Sequence, residues 1–125
     1  MIPLAIPNLA GKEARYLAEC ISTTFVSSVG PFVDRFEAMV AASAGAREAV
    51  ATSSGTTGLH AALTALGVGP GDLVVLPSFT FIASANAIAH CGAMPWLFDV
   101  DPDSWTLDPA ALARTLAAET ERRGA

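Results

Sequence analysis

Gly71-Asp72-Leu73-Val74-Val75-Leu76-Pro77-Ser78-Phe79-Thr80-Phe81-Ile82 is the stretch on which the fold turns. Leu73 to Leu76 is an unbroken apolar run, the pattern of a strand covered on both faces. Upstream, residues from about Thr56 to Leu66 keep helical spacing until Gly67-Val68-Gly69-Pro70-Gly71 stops them. Downstream, small and apolar residues from Phe79 or Thr80 to Cys91 read as a second helix. Further out, Glu48-Ala49-Val50-Ala51-Thr52 reads as a short strand before the first of these helices. Met94 to Val100 reads as a third strand, and Pro109 to Arg122 as an amphipathic helix with Asp108 as N-cap. At the start of the chain, Ala14, Leu17, Ala18 and Ile21 predict a helix within 11–24. Phe32, Phe36, Met39 and Val40 predict another from Phe32 to Ala44, ended by Gly45. Val26-Ser27-Ser28-Val29-Gly30-Pro31 breaks the chain between them. The alternation of strand and helix predicts an α/β fold of right-handed βαβ units on a parallel or mostly parallel sheet with flanking helices. Three strands leave open apolar edges, so the domain is expected to be incomplete by itself.

Composition points the same way. A chain of 125 residues is one domain at most. Apolar residues make up 52%, charged residues only 15%, and the mean hydropathy is +0.46, whereas ordinary soluble domains carry roughly 25% charge. Faces of this chain are therefore expected to be covered by something else. A membrane is not that cover. The most apolar region, 79–98, is interrupted by Ser84, Asn86, His90, Gly92 and Pro95, and a spanning helix needs ~20 apolar residues. The start, Met1-Ile2-Pro3-Leu4-Ala5-Ile6-Pro7-Asn8, lacks the basic residues and long apolar run of a secretory signal. A net charge of −5 argues against binding a nucleic-acid backbone. Cys20 and Cys91 have neither metal-ligand nor disulfide-framework spacing, which predicts free thiols in a reduced, cytoplasmic setting.

Two loops could carry chemistry. Ser53-Ser54-Gly55-Thr56-Thr57-Gly58 follows a strand and opens a helix. Unpaired N–H groups and the positive end of the helix dipole there attract an anion. The same residues also make an ordinary polar helix cap, and both readings stand at this point. No Gly-Lys-Ser/Thr pair follows, so this is not a P-loop. Gly67, Gly69 and Gly71 precede a strand and form a turn, not a dinucleotide fingerprint. Pro77-Ser78-Phe79-Thr80-Phe81 lies at the carboxyl end of its strand, where ligands of open α/β sheets bind. A ring there can stack on a flat heterocycle, or both phenylalanines can pack in the core. Asp99-Val100-Asp101-Pro102-Asp103 lacks the glycine and the bidentate glutamate of a calcium loop and reads as a turn. His60 and His90 have no His, Cys or Glu at ligand spacing, and no metal site is expected.

These residues together resemble the DegT/DnrJ/EryC1/StrS family of pyridoxal-phosphate sugar aminotransferases. The likeness runs from Ile2-Pro3-Leu4 to Asp108-Pro109. It is carried by Ser27-Ser28-Val29-Gly30-Pro31-Phe32-Val33-Asp34-Arg35-Phe36-Glu37, by Ser54-Gly55-Thr56-Thr57-Gly58-Leu59-His60-Ala61-Ala62-Leu63, by the run from Gly71 to Phe81, and by Asp99-Val100-Asp101-Pro102. The resemblance implies the N-terminal part of the large domain of a fold-type-I aminotransferase. Residues 1–47 would supply helices and a substrate- and dimer-facing loop, and 48–125 the βαβ units with the cofactor-phosphate turn. Pyridoxal 5'-phosphate is the implied cofactor. Gly55 and Thr56 would hold its phosphate, Phe81 would stack on its ring, and Asn86 would line its pocket. Ser27, Ser28, Gly30 and Pro31 would face the sugar nucleotide and the partner of a homodimer. Asp99 and Asp101 would be structural.

The family's Schiff-base lysine and the aspartate that pairs with the pyridine nitrogen are not among these 125 residues. The only lysine is Lys12, in the first predicted helix. No catalytic residue is therefore assigned, and the chain alone is expected to be inactive. The implied whole enzyme moves an amino group, usually from glutamate, onto a keto-sugar nucleotide for amino-sugar and surface-polysaccharide biosynthesis. The alternatives are a non-enzymatic relative serving as sensor or assembly module, and an unrelated doubly wound nucleotide-binding domain.

Overall fold

The computed structural model describes residues 5–121. The Ile2-Pro3-Leu4 start and Arg122 lie outside the described residues. The chain divides into two compact units, one up to Ala51 and one from Thr52 onward.

The first unit holds α1 (Glu13–Ser22) and α2 (Pro31–Ala44). Proline opens α2 at a position where its missing N–H costs nothing. Gly45 closes it in a left-handed conformation while the Ala46 N–H reaches back 2.9 Å to the Ala41 carbonyl. Leu17 and Ile21 on α1 and Phe36 and Met39 on α2 remain more than half exposed, and Ala41 is the one buried core residue of this unit among those described. Residues 48–52, expected as a strand, are not one. The run has strand composition but finds no ladder partner among the described residues. The Ala51 N–H donates instead to Glu37 Oε1 at 2.7 Å.

The second unit runs α3 (Gly55–Ala65), β1 (Leu73–Pro77), α4 (Ile82–His90), β2 (Met94–Phe98) and α5 (Pro109–Glu119). β1 and β2 are parallel neighbours, with Leu73 opposite Met94 and Pro77 opposite Phe98, joined through α4 as a βαβ unit requires. The sheet thus has two strands among the described residues, not three. Its core is Leu76, Ile88 and Ala93, packed by Leu63, Val68, Val74, Ala85 and Cys91. α4 can lie close on the strands because its inward face is small, with Ala87 wholly buried beside Ile88. The sheet is covered unevenly: Leu76 and Phe98 are buried, while Leu97 stays 59% exposed and Leu73 and Met94 are similarly open. The expectation of a strand buried on both faces is met only in part: Leu76 is buried, Val74, Val75 and Pro77 are partly buried, and Leu73 is open.

Element ends depart from the sequence reading in three places. α4 starts at Ile82, after Phe81, which is extended (φ −70°, ψ 137°) and offers no side-chain cap. β2 stops at Phe98, because Asp99 turns its own carboxylate onto the Val100 N–H at 2.8 Å. Val100 then makes an isolated antiparallel bridge with Leu107. α5 is capped by Asp108 as expected, its Oδ1 accepting from Ala110 and Ala111, and ends at Glu119. No helix among the described residues is long and apolar enough to cross a membrane.

The turn from α4 into β2 depends on Gly92. Its φ is +76°, and a Cβ there would stand 3.1 Å from Pro70 Cγ. Gly92→Ala combines a left-handed strain of ~1–2 kcal/mol with that contact. A urea melt should show a loss of about 1–3 kcal/mol for the second unit. An unchanged midpoint would mean that the turn relaxes freely.

Candidate functional site

At the start of α3, Ser54 is extended (φ −163°, ψ 164°) and forms a reciprocal capping box with Thr57. Ser54 Oγ accepts the Thr57 N–H at 3.3 Å, and Thr57 Oγ1 accepts the Ser54 N–H at 3.1 Å. Ser53 Oγ also leans on Thr57 Oγ1, at 3.3 Å. These hydroxyls are engaged with one another. The Gly58 N–H is taken by the Ser54 carbonyl at 3.0 Å. The N–H groups of Gly55 and Thr56 are left without a protein acceptor among the described residues. They point outward at the positive end of the helix.

The space beside Gly55 is clear. A Cβ built at Gly55 meets nothing within 4 Å, so an anion can come against the bare backbone. Gly55 N–H, Thr56 N–H and the partly buried Thr56 hydroxyl make a three-donor set of the kind that suits a phosphate. The polar-cap reading is realised by Ser54 and Thr57. Gly55 and Thr56 stay available.

α3 and α4 lie side by side and point the same way. Leu59 shares a hollow with Ser84 and Ile88, and further along Thr64 Oγ1 is 3.8 Å from Cys91 Sγ. Both helices therefore begin at the same end of the unit, at the carboxyl end of β1. Ser78 there donates to the Phe98 carbonyl at 2.7 Å. Phe81 is the residue before α4 and is 80% exposed. Phe79 is held edge-on against Trp105, ring centres 5.2 Å apart. Neither phenylalanine is a core residue, which corrects that alternative, and Phe81 is the one whose ring has no aromatic partner among the described residues. Asn86 is exposed on α4, a little over one turn beyond Phe81.

Ser27, Ser28, Gly30 and Pro31 belong to the first unit. Ser27 and Gly30 line a hollow of about 180 Å³ with Cys20, Phe25, Val29, Phe32 and Val33. Ser28 and Pro31 are exposed beside it. In the same unit, Arg35 donates to the Tyr16 hydroxyl at 3.2 Å. That bond, with help from Arg15, holds the phenol below its ordinary pKa. Nothing in the sequence flagged this contact, because Tyr16 and Arg35 are 19 positions apart.

The acidic turn is structural in its contacts. Asp101 Oδ1 accepts from the Ser104 and Asp103 N–H groups at 2.8 and 3.1 Å. The Ser104 amide is the main reason that its carboxyl titrates below the usual range. Cys20 and Cys91 are free thiols. Among the described residues no cluster of three metal-ligating side chains occurs. His60 and His90, each without a partner by spacing, sit against one another with ring centres 5.5 Å apart.

Comparison with known proteins gives a consistent picture. The pattern of the DegT/DnrJ/EryC1/StrS aminotransferase family matches residues 7–123. GDP-perosamine synthase of Caulobacter vibrioides is 48% identical over 120 residues, which is 96% of this chain and 32% of the relative. The spore coat polysaccharide biosynthesis protein SpsC of Bacillus subtilis is 37% identical over 96% of this chain and 31% of its own length. Among solved structures, NtdA from Bacillus subtilis with bound cofactor PMP superposes with a TM-score of 0.73 at 33% identity. That superposition covers 81% of this chain and 23% of NtdA. The chain spans about a third of the length of the curated relatives it matches.

Proposed function

This chain belongs to the DegT/DnrJ/EryC1/StrS aminotransferase family, whose members depend on pyridoxal phosphate, and from that premise we propose that its second unit holds the cofactor's phosphate end in a sugar aminotransferase. The observation that carries the reading is the pair of unpartnered N–H groups at Gly55 and Thr56, with clear space beside Gly55. The Thr56 hydroxyl would add a third donor, Phe81 would lie flat on the cofactor ring, and Asn86 would border the pocket. When bound, pyridoxal phosphate supplies an electron-accepting ring for the transfer of the amino group. These residues anchor and orient it, and offset stacking on Phe81 contributes roughly 0.5–1.5 kcal/mol.

The whole activity is the transfer of an amino group, from glutamate, to a keto-sugar nucleotide in amino-sugar and surface-polysaccharide synthesis. The names of the two relatives support that substrate class. In the first unit, Ser27, Ser28, Gly30 and Pro31 would meet the sugar nucleotide and the second subunit of a homodimer in the cytoplasm. The hollow beside them is smaller than the roughly 300 Å³ from which ligand pockets begin, which supports a contribution from residues beyond this loop. The family's Schiff-base lysine has no candidate here, since Lys12, the only lysine, precedes α1 in the first unit.

The test is a titration of the protein with pyridoxal phosphate, read on the amide resonances of Gly55 and Thr56. Those two amides should shift together with the Phe81 ring, and pyridoxal without phosphate should leave the amides in place. With glutamate and a keto-sugar nucleotide added, these 125 residues should show no amino transfer above background. Shifts confined to other residues would overturn the phosphate seat, and turnover dependent on Lys12 would overturn the expected inactivity.

A further inference from the structure

α3 and α4 contain no Lys, Arg, Asp or Glu, and neither do β1 and β2 beneath them. On these otherwise uncharged helices stand two imidazoles, His60 in mid-α3 and His90 at the last position of α4. Their rings are 5.5 Å apart and tilted by 46°. They are 30 positions apart in sequence, so only the packing of α3 on α4 brings them together. Both can be reached from solvent, His60 partly and His90 openly. The spacing has a chemical meaning. A zinc–imidazole bond is about 2.0–2.1 Å long, and the ring centre lies roughly 1.1 Å further on. Two imidazoles on one tetrahedral ion therefore have centres about 5.2 Å apart. The observed ring-centre separation is within a few tenths of an ångström of that value, and the tilt is not that of a parallel stack.

We propose that His60 and His90 form a two-imidazole site for a divalent first-row transition ion of the zinc, nickel or copper class. The ion would bridge α3 and α4 with water in its remaining positions. Imidazole nitrogen selects these ions over magnesium or calcium, which take oxygen ligands. No lysine or arginine on either helix repels a cation there, and the net charge of −5 favours its approach. Cys91 follows His90 directly, but its thiol is turned to Thr64 Oγ1 at 3.8 Å and the His60 carbonyl at 4.0 Å. The two rings alone define the site. It lies away from the Gly55 end of α3 and is independent of the cofactor reading.

The experiment is calorimetric titration of the whole chain with Cu²⁺, Ni²⁺, Zn²⁺ and Mg²⁺. One ion should bind per chain, copper most tightly and magnesium not detectably. His60→Gln and His90→Gln should each weaken binding by at least about tenfold, since one imidazole cannot chelate. Cys91→Ser should change it by less than about threefold, because the thiol is not a ligand. Should a Gln variant lose its fold by circular dichroism, Ni²⁺ broadening in the unaltered protein decides instead. Broadening centred on the His60 and His90 side chains supports the site, and broadening centred elsewhere overturns it. Loss of binding in Cys91→Ser with both Gln variants unaffected, or magnesium binding as tightly as zinc, also overturns it.

Discussion

Gly55→Asp should weaken the response of the Thr56 amide to pyridoxal phosphate roughly 30-fold while leaving the second unit folded. The new side chain enters space that is clear in the structure, so the chain itself offers no obstacle to the substitution. It does fill the volume through which an anion would reach the backbone. It also sets a carboxylate beside the phosphate. Two unit charges at 4 Å repel by about 1 kcal/mol in water and about 4 kcal/mol at an effective dielectric of 20. A cost on the order of 2 kcal/mol follows for this exposed turn, or a roughly 30-fold weaker midpoint. The helix responds in the opposite sense. An acidic residue in the first turn favours the dipole by about 0.3–1 kcal/mol, so thermal stability should hold or rise slightly. Binding falls while stability does not, and that pair of results separates a phosphate seat from a mere structural cap. If the titration in Gly55→Asp matched that of the unaltered protein, the seat would lie elsewhere.

Ile88→Asp should unfold the second unit. Ile88 is 3% exposed and sits among Leu76, Ala93, Leu63 and Val74. Trimming such a residue to alanine already costs about 2–5 kcal/mol, and a carboxylate with no partner adds several more. A unit of this size has a total stability of about 4–11 kcal/mol. The expected result is loss of cooperative melting and of amide dispersion from residue 52 onward. Leu97→Asp makes the contrast, since Leu97 on β2 is 59% exposed. It should cost less than about 1 kcal/mol. Equal effects at the two positions would show that the core is not where Ile88 places it.

The helices and their ends were the most legible part of the chain. Gly45, Ser54 and Asp108 are signals that act through bonds to residues two to five positions away, and they act as read, whereas Pro31, read as a breaker, opens α2. The strand at 48–52 was legible only as a composition. Val50 and its neighbours suit a ladder, but a ladder needs a second strand. In its place the structure has a hydrogen bond to Glu37. Phe79 and Phe81 could not be told apart by pattern, since they differ by a remote contact, the Trp105 ring, which one has and the other lacks. The split of hydroxyls around Gly55 was half legible: the residue types announced a polar turn, but not which oxygen is spent on the cap.

Local order in this protein is written in neighbouring residues. The α/β alternation, the caps, the parallel pairing implied by a crossover helix and the family likeness all follow from short-range patterns. Those patterns work through backbone dihedrals and hydrogen bonds a few residues long. Tertiary structure alone decided that two strands pair and a third does not, and that Leu73, Met94 and Leu97 stay open. It also decided that Gly55 and Phe81 open at the same end and that His60 meets His90. Each of these depends on which surfaces come together across tens of residues, and that is settled by packing and by the partners available, which no local pattern encodes.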